Sequence, residues 1–294
     1  MDIWVLILLL VRVILYIGMM LVNGSILYGL LLGTQMTAGS KAHLAGLVRA
    51  GALVGLAAVA VQIPASAGYL GGDVASAFDP LFMRLMVETT LGWSSLLAAA
   101  GFIMAVWLPL LATKYHIPTG GLICLLIASA FAVHGHATTG GMVTRLLLVV
   151  HLACVAVWLG AFLPLHRLCR LATDDPVALL ELAQTGRRFA QVGSITVALL
   201  LVSGGILAAF LTGSVTAMVA TDYGLALSGK VILVSGLLGL AALNRFRLVP
   251  AVDRGERAAA ARLGLSVRLE MLSALAIMLV TSLLTTSLDL PMPP

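Results

Sequence analysis

The chain consists of long runs of apolar residues separated by short polar or glycine-containing segments. Each run approaches or exceeds the roughly 20 residues that an α-helix needs to cross a bilayer. Apolar and polar residues do not alternate as they do in the strands of a membrane barrel. The pattern therefore predicts an all-α, polytopic membrane helical bundle of about eight transmembrane helices, at residues 4–32, 44–70, 92–112, 118–137, 144–165, 190–213, 229–249 and 267–287. A shorter amphipathic segment, 78–92, predicts a helix at the membrane surface.

Composition places the protein in the membrane class. Of its 294 residues 61% are apolar and 10% are charged, whereas soluble domains are about 45–50% apolar and about 25% charged. We interpret the net charge of +5 as a feature of the loops, with no nucleic acid as a partner. The three cysteines form no CxxC pair and predict neither a disulfide framework nor a zinc site. Residues 1–294 are expected to form a single membrane domain, because no long linker or clear repeat divides them.

The distribution of Lys and Arg predicts the orientation. One set of loops carries twelve of these residues, and the opposite set carries only Arg84, Arg145 and Lys230. Because cytoplasmic loops are rich in Lys and Arg, the first set is expected in the cytoplasm and both termini in the periplasm.

Three histidines lie toward the predicted periplasmic side. His134 and His136 stand in AVHGHATTGG (131–140), and His151 is expected roughly 10 Å into the next span. Met142 lies in the same turn, and Cys154 follows His151 by three residues. Imidazole binds copper, zinc, iron and nickel, and sulfur ligands favour Cu(I), so these five side chains are candidate ligands for a soft or borderline metal ion.

Other polar residues lie within or beside the spans. A charge in the middle of the membrane costs roughly 2.5–3.5 kcal/mol on insertion scales, and it usually pairs or lines a polar pathway. Arg12 has either a structural role or a place in a polar site that opens to the periplasm. Glu270 is expected near the cytoplasmic end of the last span, where it pairs or extends toward the interface. The predicted cytoplasmic side carries three more histidines, which are loop residues or, if an ion moves inward, exit ligands: His43, His116 and His166.

Several stretches resemble one known family in order and spacing. GHA (135–137) precedes HLACVAVWLGAFLPL (151–165), and four further stretches follow: LVSGGILAAF (201–210), TDYGLALSGK (221–230), ALNRFRLVP (242–250) and VRLEMLSALAIMLVTSLL (267–284). Together they resemble the copper resistance protein D family of bacterial inner-membrane proteins. The resemblance is strongest over residues 131–294, and Arg12 extends it to the first span.

This resemblance implies copper uptake from the periplasm toward the cytoplasm, in the multi-pass bacterial inner membrane, with a periplasmic copper-binding partner of the CopC type. His136 and His151 would receive the copper, and Trp158, seven residues after His151, would line its path. The oxidation state, Cu(I) or Cu(II), stays open. Three departures from the family pattern are present: Leu15 and Tyr16 where relatives carry a histidine, Ala161 in place of a second glycine, and His134 as an addition.

Two other functions compete with copper transfer. Histidines on separate spans also suit a b-type haem that carries electrons, and a copper sensor or docking platform needs only the periplasmic ligands. An enzyme is not expected, because no nucleophile motif frames the serine and histidine residues and no nucleotide-binding loop is present.

Overall fold

A computed structural model describes residues 3–33, 36–111, 116–135, 139–214 and 216–291. Within these ranges the chain is helical and has no strand. The helices are α1 (Ile3–Leu32), α2 (Ala38–Gly71), α3 (Pro80–Val87), α4 (Thr90–Trp107), α5 (His116–Val133), α6 (Gly141–Gly160), α7 (Phe162–Leu171), α8 (Pro176–Thr212), α9 (Ala217–Ala220), α10 (Asp222–Leu243), α11 (Val249–Asp253) and α12 (Arg257–Thr286). A π-helical segment, Asn244–Leu248, joins α10 to α11.

Eight stretches of the described chain are long and apolar enough to cross a membrane, which confirms the predicted number. Two of them are composite: α6 continues into α7, and α10 continues through the π-helical segment into α11. The amphipathic segment forms the short helix α3, which has no buried residue.

Polar side chains fix where several helices begin. Thr37, Asp79, Thr89, Asp175 and Thr221 each accept a hydrogen bond from a backbone N–H in the first turn of the following helix. Such caps satisfy backbone donors that have no partner inside the helix. At the other end, α2 and α8 stop at glycines with positive φ, Gly72 at 83° and Gly213 at 66°, a conformation that glycine adopts without a steric penalty.

The helix α1 lies at the centre of the bundle and packs against α2, α5, α6 and α12. Its first half meets the end of α12, where the Ser282 hydroxyl donates to the Leu9 carbonyl at 2.8 Å and Tyr16 lies 3.4 Å from Thr285. The two ends of the chain are therefore on one side of the bundle, called here the terminal side. The other side is the arginine-rich side.

Two apolar cores meet at α6. One is formed by α1, α2, α4 and α5 and includes Phe102, which is fully buried and fills the space left by Gly55 on α2. The other is formed by α6, α7, α8, α10 and α12. Because α6 contributes to both cores, a polar side chain on this helix lies between the two halves of the bundle.

Candidate metal site

His151 lies on α6, and its imidazole is held by the neighbouring helix α8. Its Nδ1 is 3.2 Å from the Ser203 hydroxyl, and that hydroxyl donates its own proton to the Leu199 carbonyl at 2.7 Å. Because the serine proton is directed at the Leu199 carbonyl, we assign Nδ1–H of His151 as the donor and the Ser203 oxygen as the acceptor. The lone pair of Nε2 is therefore left for a ligand, and this nitrogen has no hydrogen-bond partner in the described part of the chain.

The position of the ring depends on a glycine one residue after Ser203. A Cβ atom added at Gly204 would lie 3.0 Å from Cε1 and 3.3 Å from Nδ1 of His151. Gly205, the next residue, has nothing within 4 Å of the equivalent point. Gly204 thus makes room for the imidazole, whereas Gly205 faces away from it.

A lysine adds positive charge beside this imidazole. Lys230, on α10, lies within electrostatic range of His151. His151 therefore offers one free nitrogen ligand, with a hydroxyl of α8 against its ring and the positive charge of Lys230 within electrostatic range.

Cys154 and Trp158 continue along α6 toward the arginine-rich side. Both are buried in the core shared with α8, with 7% and 4% of their surface exposed. Residues three and seven positions after His151 share its face of the helix, so a thiol and an indole lie next along this face. Met142 differs, because it is 67% exposed in the first turn of α6.

The other terminal-side histidine turns toward α4. Nδ1 of His134 and the Thr90 hydroxyl share a hydrogen bond of 3.0 Å. The helix α5 ends at Val133, four residues before the predicted end of this span. His136 lies outside the described residues. Within those residues, no three His, Cys, Asp or Glu side chains are close enough together to hold a metal ion, so a three-residue cluster stays a prediction that depends on His136.

Arg12 is placed beside this turn. Its guanidinium lies over the rings of Tyr16 and Phe131, at 5.8 and 5.4 Å, and these two rings stack at 5.2 Å. One of its nitrogens would be 3.6 Å from a Cβ atom at Gly135. The aromatic faces offset part of the cost of burying the charge.

The remaining candidates are on the arginine-rich side. His43 lines a crevice with Met36 and Arg167, and its Nε2 is buried without a partner in the described chain. His116 contacts the Leu111 carbonyl at 2.9 Å. His166 lies near Arg170 and Arg268. These imidazoles belong to separate surroundings and do not form one cluster.

Glu270 departs from its expected surroundings. It is only 3% exposed and makes no hydrogen bond or ion pair within the described chain, so it neither pairs nor extends to the interface. The reason is that α12 begins at Arg257, thirteen residues earlier, and carries Glu270 into the bundle on its core face.

The partners of His151 were not singled out from the sequence. Ser203 and Gly204 are 52 and 53 residues away from it, and no periodicity in the sequence pairs α6 with α8. The run of small residues Ser203-Gly204-Gly205 inside an apolar span is the signal that could have indicated a close approach to this helix.

Comparison with known proteins decides the family. The family profile described as Copper resistance protein D matches residues 183–284, and that of the Copper resistance protein D-like N-terminal domain matches residues 1–144. Copper resistance protein D of Pseudomonas syringae pv. tomato is 30% identical over 281 residues, which are 89% of this chain and 88% of the relative. The chain belongs to the copper resistance protein D family.

A second relative is consistent with the membrane location. Inner membrane protein YebZ of Escherichia coli (strain K12) is 28% identical over 288 residues, which are 94% of this chain and 96% of the relative. No solved structure matches the chain. This member of the copper resistance protein D family is thus a multi-pass protein of the inner membrane, and its eight spanning helices lie in the lipid bilayer.

Proposed function

We propose that the protein binds copper from the periplasm at His151 and passes it across the inner membrane toward the cytoplasm. The observation that carries this proposal is the arrangement of His151, which has Nδ1–H fixed by Ser203 and Nε2 left free. Histidines that bind metals commonly donate their other ring nitrogen in this way, since the second hydrogen bond fixes the tautomer and the orientation of the ring.

The order of ligands along α6 supports inward movement. His151 is followed by Cys154 and Trp158 in the direction of the arginine-rich side. Nitrogen and sulfur donors suit copper, and the thiol favours Cu(I) once the ion is inside. In this proposal His136 and His134 accept copper at the terminal side, Met142 assists there, and a CopC-like periplasmic protein delivers it.

The positive charge of Lys230 favours release of the copper ion from the site. A positive charge near a bound cation weakens binding, and an ion that has to leave must not be held too tightly. The site is thus suited to transfer rather than to storage.

Copper binding by purified protein tests the first step. The parent protein and the His151→Ala and His136→Ala variants are loaded with copper in detergent, and bound metal is measured by elemental analysis. We expect near-stoichiometric copper in the parent protein and a loss in the His151→Ala variant. The His116→Gln variant is the control, because it removes an imidazole whose Nε2 already contacts the Leu111 carbonyl.

Copper accumulation in cells tests the transfer step. Loss of binding and of uptake in the His151→Ala variant supports transport. Loss of binding with unchanged cellular copper in that variant supports the sensor or docking platform. A haem absorption spectrum with iron in place of copper supports the electron-transfer alternative and overturns the proposal.

A further inference from the structure

Three polar side chains are buried without partners in the half of the bundle formed by α7, α10 and α12. Glu270, Asn244 and Ser266 are 3%, 8% and 5% exposed. The Asn244 Oδ1 and Ser266 Oγ atoms are shielded from solvent and have no hydrogen-bond partner in the described chain. Glu270 likewise makes no hydrogen bond or ion pair there. Buried polar atoms are seldom left in this state, and each one calls for a ligand or a role.

Helix geometry and packing place the three residues on two elements that contact each other. Ser266 and Glu270 are four residues apart in α12, so their side chains share one face of that helix. Asn244 opens the π-helical segment Asn244–Leu248, and this segment packs against α12. Single π-helical turns are frequent at functional sites.

No positively charged side chain of the described residues forms an ion pair with the Glu270 carboxyl group. The titratable or charged side chains on the elements packed against α12 are Arg12, Tyr16 and Tyr28 on α1, His166, Arg167, Cys169 and Arg170 on α7, Asp222, Tyr223 and Lys230 on α10, Arg245 and Arg247 on the π-helical segment, Asp253 on α11, and Arg257, Arg262 and Arg268 on α12 itself. Within the described residues, none of them forms an ion pair with Glu270.

An isolated buried charge costs several kcal/mol even after the protein relaxes around it. Glu270 must therefore hold a proton or lie against a bound cation. The available donors are a carboxylate, an amide oxygen and a hydroxyl, all of them hard oxygen ligands. The nitrogen and sulfur donors of α6 suit copper better. The oxygen donors and the donors of α6 therefore suit different ions.

We propose that Glu270, Asn244 and Ser266 form a second site, which binds a small hard cation, a proton or a sodium ion, whose movement is coupled to that of copper. This coupling rests on the proposed transport function, whereas binding of the cation does not. Glu270 lies about 24 Å from the end of α12 on the terminal side, and His151 lies about 15 Å from the same side along α6. The second site is thus closer to the arginine-rich side than the copper site is.

Infrared spectroscopy of the purified parent protein tests cation binding without copper. We expect a carboxyl band that disappears when sodium is added, or in sodium-free buffer when the pH is raised. The first result identifies sodium as the ligand, and the second identifies the proton. The band must be missing in Glu270→Gln, an isosteric change that keeps the site uncharged. It must persist in Glu181→Gln, which alters another buried carboxylate that already accepts from the Thr37 N–H.

Asn244→Ala provides a second variant in case Glu270→Gln does not fold. We expect it to shift the cation concentration or the pH at which the band disappears. A band that responds to neither cation, or one that remains in Glu270→Gln, would overturn the assignment of this site.

Copper uptake into proteoliposomes tests the coupling. With an imposed sodium or proton gradient, we expect the parent protein to take up copper faster than without one, and Glu270→Gln to bind copper normally but to show no response to the gradient. An equal response in Glu270→Gln and the parent protein would overturn coupling through this site. If the parent protein binds no copper at all, the transport proposal fails, and the infrared titration still decides whether the site binds a cation.

Discussion

Ser203 determines which nitrogen of His151 can meet a metal ion. Its hydroxyl accepts from Nδ1–H while it donates to the Leu199 carbonyl. Replacing Ser203 with alanine removes this acceptor and frees the ring to rotate. Loss of such a second hydrogen bond commonly weakens metal binding about 10- to 100-fold, and we expect a loss of this size in the copper affinity of Ser203→Ala.

Competition with a chelator of known affinity measures this effect. Ser235→Ala is the matched control, because the Ser235 hydroxyl bonds only to the Val231 carbonyl of its own helix. Equal copper affinity in Ser203→Ala and the parent protein would show that this serine does not orient the ligand.

Gly204 and Gly205 provide a direct comparison of two neighbouring positions. In Gly204→Ala the new methyl group would lie 3.0 Å from Cε1 of His151, whereas in Gly205→Ala it would meet nothing within 4 Å. We therefore expect Gly204→Ala to displace the imidazole and weaken copper binding, and Gly205→Ala to leave it unchanged. Copper titrations of the two variants, at equal thermal stability, check this. Equal affinities would contradict the placement of the ring against α8.

Lys230 is expected to lower the affinity of the copper site. At the effective dielectric of protein sites, two unit positive charges roughly 10 Å apart oppose each other by about 1–2 kcal/mol, or roughly tenfold in affinity. Lys230→Met should bind copper more tightly by this factor and release it more slowly. Lys41→Met is the control, since Lys41 is exposed on the arginine-rich side. Unchanged affinity in Lys230→Met would mean that its charge does not reach the metal.

At the residue level, the sequence indicated which side chains could bind a metal or carry a charge, but not which residues on other helices they contact. His151 was recognisable because an imidazole inside an apolar run needs an explanation. Its contacts with Ser203, Gly204 and Lys230 cross between helices, and the pattern along one helix carries no information on which other helix it meets. The start of the helix that carries Glu270 was missed for a related reason, since the apolar run begins about ten residues after the helix does. The depth of Glu270 in the membrane stays a prediction.

Among the spanning helices, α1 and α6 make a close backbone contact. A Cβ atom at Gly24 would lie 2.4 Å from Cα of Gly160, and one at Gly160 would lie 2.2 Å from Cα of Gly24. Small residues allow such approach in membranes, where association depends on packing. Either glycine replaced by alanine must push the helices apart, and we expect Gly24→Ala to destabilise the protein by about 1–3 kcal/mol.

A thermal shift in detergent measures this loss. Gly193→Ala serves as the control on α8, because nothing lies within 4 Å of its added carbon. If both variants melted at the parent temperature, the contact between α1 and α6 would not be as close as described.

The elements themselves were largely predictable. Long apolar runs allow few structures other than helices in a membrane, and all eight spans were found. The ends were less predictable, since α8 begins at Pro176 and α12 at Arg257, well before the apolar runs do. The first turns of both helices are polar; Asp175 caps α8, and Arg187, about three turns into α8, forms an ion pair with Asp253 on α11. A search for apolar residues alone does not detect such turns.

At the scale of the whole molecule, the orientation in the membrane decides what the site can do. The terminal side has three basic residues outside Arg12, and two of them, Arg145 and Lys230, lie within the spanning helices α6 and α10. Only Arg84 lies outside the spans, on α3. The difference in basic residues between the two sides is thus larger when only residues outside the spanning helices are counted. This difference favours a periplasmic location of the terminal side.

Reporter fusions test this orientation. Alkaline phosphatase, which is active only in the periplasm, should be active when it is fused after residue 294. A fluorescent protein that folds only in the cytoplasm should be fluorescent when it replaces the chain after Asp174, in the turn between α7 and α8. The exchanged reporters at the same two positions are the controls and should be inactive. The opposite result would place His151 nearer the cytoplasm, and the order from His151 through Cys154 to Trp158 would then describe copper leaving the cell.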